Sequence, residues 1–431
     1  MGERPSAVAS NEADKQRPVV VVSSDTHIGP RLVDDLRPYC PAPYLSRFDE
    51  FATQMGRARE ELYQQMQGRD TAIFRRNHQT AGHYDMDARL RDLDREGVAA
   101  EVIFHGSQNE EAMPWGTFVA FYGPTTDDLD LVGQGRHIFN RWLADAVSVQ
   151  AERHVGLAHL PMWDIDAAID EVNRAADSGL RGVNFPAPRP EILPYNDPAW
   201  EPFWAVCAER GLPLTTHSGA GNPKEWTGRE ASVLMSLESG GWFSRRALHQ
   251  MIFGGVFERH PDLTLVLTEQ PGDWWSYTLR EMDSAYLSQR SVLSVQVPRL
   301  PSEYCRENVA IGASFLAHFE AVDAVEAGYT DQVMWGSDYP HTEGTYQFQD
   351  DESEPSMGRL AMRHTFAGIE SDAVRAMVGE NAMQIYGLDT QRLQAVADRI
   401  GAPSLEELGT PIEEVPVDGG RLSFRTFGPW A

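Results

Sequence analysis

The stretch Gln332-Val-Met-Trp-Gly-Ser-Asp-Tyr-Pro-His341 is a short apolar run that ends in a carboxylate, with a proline and a histidine close behind. Three earlier runs share its form. Val19-Val-Val-Val-Ser-Ser24 leads into Asp25-Thr-His27, Leu212-Pro-Leu-Thr-Thr216 into His217-Ser-Gly, and Leu263-Thr-Leu-Val-Leu-Thr268 into Glu269-Gln-Pro-Gly. Each reads as a strand whose C-terminal end carries a metal-ligand residue type. Short, nearly continuous apolar strands fit a parallel sheet covered on both faces.

Between these runs the chain alternates. Further strands are expected at Val98–Phe104, Val155–Met162, Leu180–Phe185 and Val309–Ser314, with helical patterns separating them. Eight strands alternating with helices are the content of an α/β chain folded as a (β/α)8 TIM barrel. An open doubly wound sheet is the alternative. The barrel is preferred because ligand-type residues end strands 1, 5, 6 and 8, and closure sets strands 1 and 8 side by side. No glycine-rich dinucleotide fingerprint follows any strand.

Residues 1–17 are polar and read as a disordered arm. The barrel domain is expected over 18–389, with the Pro-rich insertion 29–97 after strand 1 as a cap over the mouth. Residues 390–431 form a C-terminal extension ending Phe424-Arg-Thr-Phe-Gly-Pro-Trp-Ala431. Its apolar residues suggest an arm that packs on something, such as a second copy in a homodimer; a frayed end is the other reading.

A net charge of −27 over 431 residues repels nucleic acid and anionic lipid. It does not forbid an anionic substrate, because a local cation reverses the field inside a cleft. Cys40, Cys207 and Cys305 are few, odd in number and far apart, which gives no disulfide framework and no thiolate metal site. The N-terminus has no apolar secretory core, and no run approaches the roughly 20 apolar residues of a membrane span. A cytoplasmic protein acting on a small molecule is expected.

Asp25 and His27 lie two apart, so on an extended strand they share a face. With His217 and Asp338 they make a mixed nitrogen and oxygen set that suits zinc, manganese or iron(II). Taken singly, an Asp before a turn is commonly a cap, and a His at a strand end is commonly a hydrogen-bonded structural residue. Their common register at the catalytic end of a barrel favours the ligand reading.

Asp25-Thr-His27, His217-Ser-Gly, Trp335-Gly-Ser-Asp338-Tyr-Pro-His341 and Glu380-Asn-Ala-Met-Gln-Ile-Tyr-Gly387 together resemble the amidohydrolase-related branch of the amidohydrolase superfamily. That branch includes aminocarboxymuconate semialdehyde decarboxylase and the resorcylate-type decarboxylases. The resemblance spans roughly residues 19–389, and its strand-8 motif with the following Glu-Asn-Ala helix is the specific part. It implies one divalent metal, zinc first with manganese or iron as alternatives, held from strands 1, 5 and 8. It also implies non-oxidative decarboxylation of a small cyclic or aromatic acid, or else hydrolysis of an amide or lactone.

Two departures stand out. The branch often has His-x-His on strand 1, where this chain has Asp25. Strand 6 commonly ends in a His, where this chain has Glu269. That Glu can carry a proton if burial raises its pKa, ligate the metal, or be structural. Asp338 is both a ligand candidate and a proton carrier. His341 can bind substrate or orient Asp338. His105 on strand 2 and Asn184 on strand 4 are candidates for substrate binding. Strand 4 offers no Lys, which supports one metal ion rather than two.

Overall fold

A computed structural model describes residues 15–66, 76–116, 125–189, 192–218, 233–234, 241–270, 272–349, 351, 356–416 and 421–429. Eight parallel strands run in chain order around one sheet. They are β1 (Val22–Ile28), β2 (Ala100–His105), β3 (His154–His159), β4 (Gly182–Asn184), β5 (Leu214–His217), β6 (Leu265–Thr268), β7 (Val309–Ser314) and β8 (Val333–Gly336). The ring closes where Thr26 bridges Tyr339, with the Asp338 N–H donating to the Asp25 carbonyl at 2.9 Å. The expected TIM barrel is the observed architecture.

The principal helices are α1 (Leu45–Met66), α2 (Met86–Glu96), α3 (Leu129–Val147), α4 (Ile165–Asp177), α5 (Glu201–Arg210), α6 (Trp242–Phe253), α7 (Trp275–Ser288), α8 (Pro301–Asn308), α9 (His318–Ala327), α10 (Met357–Phe366) and α11 (Thr390–Ile400). Two apolar layers result. Val22, Val102, Phe104, Leu157, Val266 and Met334 fill the barrel interior, with Met383 and Tyr386 packed against them. A second layer joins the strands to the surrounding helices, for example Ile103 and Leu143.

Strand 1 differs from its sequence expectation. It begins at Val22 rather than Val19 and runs through Asp25 and His27 to Ile28. Its register against β2 shifts between Ser23 and Thr26. Such an irregularity re-aims side chains next to a site.

The segment after β1 is anchored by a buried ion pair. Asp85 caps α2 by accepting from the Ala88 N–H, and Gly97 ends it at φ 77°. From α2, Arg89 donates from Nε and Nη2 to the two Glu101 oxygens of β2, both at 2.7 Å, and from Nη1 to the His27 carbonyl at 2.7 Å. Glu101 also accepts from the Thr26 hydroxyl at 2.8 Å and pairs with His154 Nδ1 at 2.9 Å. Burial pushes the Glu101 carboxyl up, but Arg89 and His154 outweigh it and hold it well below the usual range. This network ties the inserted segment to the backbone that carries His27.

The C-terminal residues fold back on their own chain. Buried Arg425 donates to the Phe315 carbonyl and pairs with Glu320, and Ser423 donates to the Gly344 carbonyl. Residues 1–14 of the expected N-terminal arm lie outside the described residues. No described helix is long and apolar enough to cross a membrane.

Candidate metal centre

Asp25, His27, His217 and Asp338 converge at the C-terminal mouth of the barrel. His27 Nε2 lies 3.3 Å from Asp25 Oδ1 and 3.2 Å from Asp338 Oδ1. His217 Nε2 lies 3.5 Å from Asp25 Oδ2. Phe104 closes one side, its ring 4.9 Å from that of His217 and 5.8 Å from that of His27. Asp25, His27 and Asp338 are buried, and His217 is nearly so.

The outer nitrogen of each imidazole is already committed. His27 Nδ1 faces the His105 carbonyl at 3.3 Å, and His217 Nδ1 faces the Ser218 carbonyl at 2.9 Å. A proton donated there leaves each Nε2 as a lone pair aimed at the carboxylates, the arrangement that orients metal-binding histidines. His27 Nε2, His217 Nε2, Asp25 Oδ1 and Asp338 Oδ2 are enclosed without a hydrogen-bond partner. Buried polar atoms are ordinarily satisfied, and one atom from each of Asp25, His27 and His217 lies within 4.8 Å of the others, a set that fits a divalent cation, with Asp338 joined to it through His27. Asp25 Oδ2 is held from outside by the Ser314 hydroxyl.

The charges around the cluster are strongly perturbed. Burial pushes the Asp25 carboxyl up, but His217 and His27 outweigh it and hold it below the usual range. Asp338 is likewise held low against burial by His341 and His27. His341 lies between two acceptors, with Nδ1 2.9 Å from Asp338 Oδ1 and Nε2 2.6 Å from the Gly106 carbonyl. Burial pushes it down, yet Asp338 raises it to about 10. As an imidazolium it stacks on His27 with ring centroids 3.8 Å apart.

Glu269 stands 3.4 Å from His217 Nδ1 and shares a potential ligand group with Asp338. Burial pushes its carboxyl up to about 8, opposed by His217 and assisted by Asp338 and Asp25. Burial pushes the His217 imidazole down while Asp25 and Glu269 push it up, so a proton and a cation compete for Nε2. Glu269 and Asp338 both adopt left-handed backbone, at φ 52° and 55°. Non-glycine residues held there carry strain, which clusters at functional sites.

The remaining candidates are placed differently. His105 reaches the cluster through its carbonyl, while its ring packs edge-on to Phe139 at 5.0 Å. Asn184 pairs in register with His159 on β3 and Thr215 on β5, half-buried. Sequence reasoning missed Glu343, whose carboxylate approaches Glu269 and Asp338 in a third potential ligand group. It also missed His159. The alternation of β3 was the available signal, since His159 follows Val155 and Leu157 of the interior layer at a spacing of two.

A family model described as amidohydrolase matches residues 123–388. The 2-amino-3-carboxymuconate-6-semialdehyde decarboxylase of Dictyostelium discoideum is 24% identical over 318 residues, covering 72% of this chain and 78% of that protein. The gamma-resorcylate decarboxylase of a Rhizobium species is 22% identical over 268 residues, covering 59% of this chain and 76% of that one. Among solved structures, a 5-carboxyvanillate decarboxylase mutant from Novosphingobium aromaticivorans superposes with a TM-score of 0.59 at 18% identity, covering 86% of this chain and 97% of that chain. That structure holds manganese and 3-methoxy-4-hydroxy-5-nitrobenzoic acid.

Proposed function

This chain belongs to the amidohydrolase family, and we propose that it is a metal-dependent carboxy-lyase removing carbon dioxide from a small cyclic or aromatic carboxylic acid. The observation that carries the reading is the grouping of Asp25, His27 and His217 within 4.8 Å of one another, with Asp338 beside His27 and unpartnered atoms on all four residues. Decarboxylases recur among the relatives, which favours this chemistry over hydrolysis of an amide or lactone. Asp25, His27, His217 and Asp338 are the proposed ligands. They would hold a divalent ion, which when bound would supply charge stabilisation as the carboxylate is lost.

The chain's own residues do the rest. When the carbon–carboxylate bond breaks, its electron pair stays on the ring carbon and needs a proton. Glu269 is the proposed donor, because a carboxyl raised to about 8 is mostly protonated at neutral pH. The Glu269 carboxylate then regains its proton from solvent. Asp338 stays ionised as a ligand, and His341 orients it from the far side. Asn184 is the proposed flanking substrate contact, while the His105 ring is turned onto Phe139.

Two imidazoles and two carboxylates suit zinc, as the sequence led us to expect, and equally manganese, the ion in the carboxyvanillate decarboxylase structure. A reducing cytoplasm is supported by Cys40, Cys207 and Cys305, all free and buried. Exposed Tyr277, Leu287, Val292 and Val295, on and just after α7, support a homodimer that covers them. The test of the reaction is carbon dioxide release from hydroxybenzoic and carboxymuconate-type acids by protein reconstituted with zinc or manganese. Turnover confined to amides or lactones would refute it.

A further inference from the structure

The chain carries 64 acidic and 37 basic residues, so an arginine at the barrel mouth with no acidic partner among the described residues is an exception. Arg136 is one. It stands in the second turn of α3, half-buried, with Nη1 enclosed and without a hydrogen-bond partner. Its guanidinium lies over the Trp163 ring, 4.2 Å from the centroid, in the loop after β3. The neighbouring charges are committed elsewhere, since Glu171 takes His137 at 3.1 Å and Arg174 at 2.8 Å.

The position of Arg136 is fixed relative to the strand ends. Four residues on, and thus on the same face of α3, Asn140 clamps β3. Its Nδ2 donates to the His159 carbonyl and its Oδ1 accepts from the His159 N–H, each at 2.9 Å. A Cβ on Gly135 would collide with the Pro114 carbonyl, so this turn of α3 sits close against the β2–α3 loop. Helix α3 runs back from the mouth, so Arg136 stands nearer the opening than Asn140. His159 shares this corner, with its ring 6.0 Å from His105 and its Nε2 enclosed without a partner.

We propose that Arg136 and His159 form an anion subsite beside the metal centre, and that it binds a second carboxylate on the substrate. The inference rests on the reading of the mouth as a site for aromatic acids, and it narrows that class to dicarboxylates. An arginine held on an aromatic face is pre-organised for a planar carboxylate. A guanidinium enclosed without a counter-charge is costly, and an incoming anion relieves that cost. Burial and the nearby Arg189 push Arg136 down to about 9, where it is still charged at neutral pH. The His159 Nε2, in its protonated tautomer, is a second donor for the same group.

The experiment is calorimetric titration of metal-reconstituted protein with benzoate, phthalate, isophthalate and terephthalate. At least one dicarboxylate should bind wild type about tenfold more tightly than benzoate, as one charge-assisted pair implies. Arg136→Gln should erase that preference and leave benzoate affinity unchanged, while Arg136→Lys keeps part of it. Trp163→Leu, which leaves the arginine in place, should weaken the dicarboxylate alone and serves should Arg136→Gln fail to fold. Equal affinity of wild type for benzoate and all three isomers would overturn the proposal, as would a preference that survives these variants. Binding is read without turnover, so protein that prefers a dicarboxylate yet releases no carbon dioxide refutes the decarboxylase reading and leaves the subsite standing.

Discussion

Glu96 offers a quantitative test of how the segment after β1 is joined to the helix after β8. It ends α2, is 5% exposed, and accepts from the Gly358 N–H at the start of α10 at 2.7 Å. Its other oxygen has no partner. Burial raises its carboxyl from 4.5 to about 7. The folded value exceeds the unfolded one, so its contribution to stability is complete below 4.5 and is lost as pH rises to about 7. At 1.36 kcal/mol per unit, the loss between pH ~5.5 and pH ~8.5 is about 2 kcal/mol. The positive end of α10 favours the anion and trims this figure. Glu96→Gln keeps an oxygen for Gly358 and cannot ionise. Urea unfolding followed by tryptophan fluorescence should show the variant gaining about 2 kcal/mol on wild type between those two pH values. Parallel pH dependence of the two proteins would refute the reasoning.

Other variants probe the centre directly. Glu269→Gln should lower kcat by about 10²- to 10⁴-fold with metal content unchanged. Because the protonated form of Glu269 is the active one, wild-type kcat should fall as pH rises through about 8, and the variant should lose that limb. His341→Asn removes the cation beside Asp338 and should weaken metal binding about 10- to 100-fold, read by competition with a chromophoric chelator. Arg89→Met leaves Glu101 buried and short of its main partner. It should cost about 3–5 kcal/mol in urea unfolding, partly restored by adding Glu101→Gln.

Strand order and the candidate ligand residues were legible because each depends on local pattern: apolar runs of strand length, with ligand-type residues at their ends. What escaped depends on pairing between distant segments. The first strand was read as starting at Val19, because a β-branched run says nothing of the register shift against β2 or of the bridge from Thr26 to Tyr339. The Arg89–Glu101 pair joins α2 to β2, and its one trace in sequence is a Glu inside the apolar run Ala-Glu-Val-Ile-Phe. Arg136 looks like any helical arginine until Trp163 is placed beneath it. Phe104, rather than His105, faces the histidines, because which residue of β2 turns into the mouth depends on where that strand begins.

The central claim is a single metal ion held by Asp25, His27, His217 and Asp338, and elemental analysis of the purified chain tests it most directly. The account predicts about one equivalent of zinc, manganese or iron per chain, lost in His217→Ala. Protein that holds no metal and takes none up on reconstitution, or an equivalent retained by His217→Ala, would contradict it.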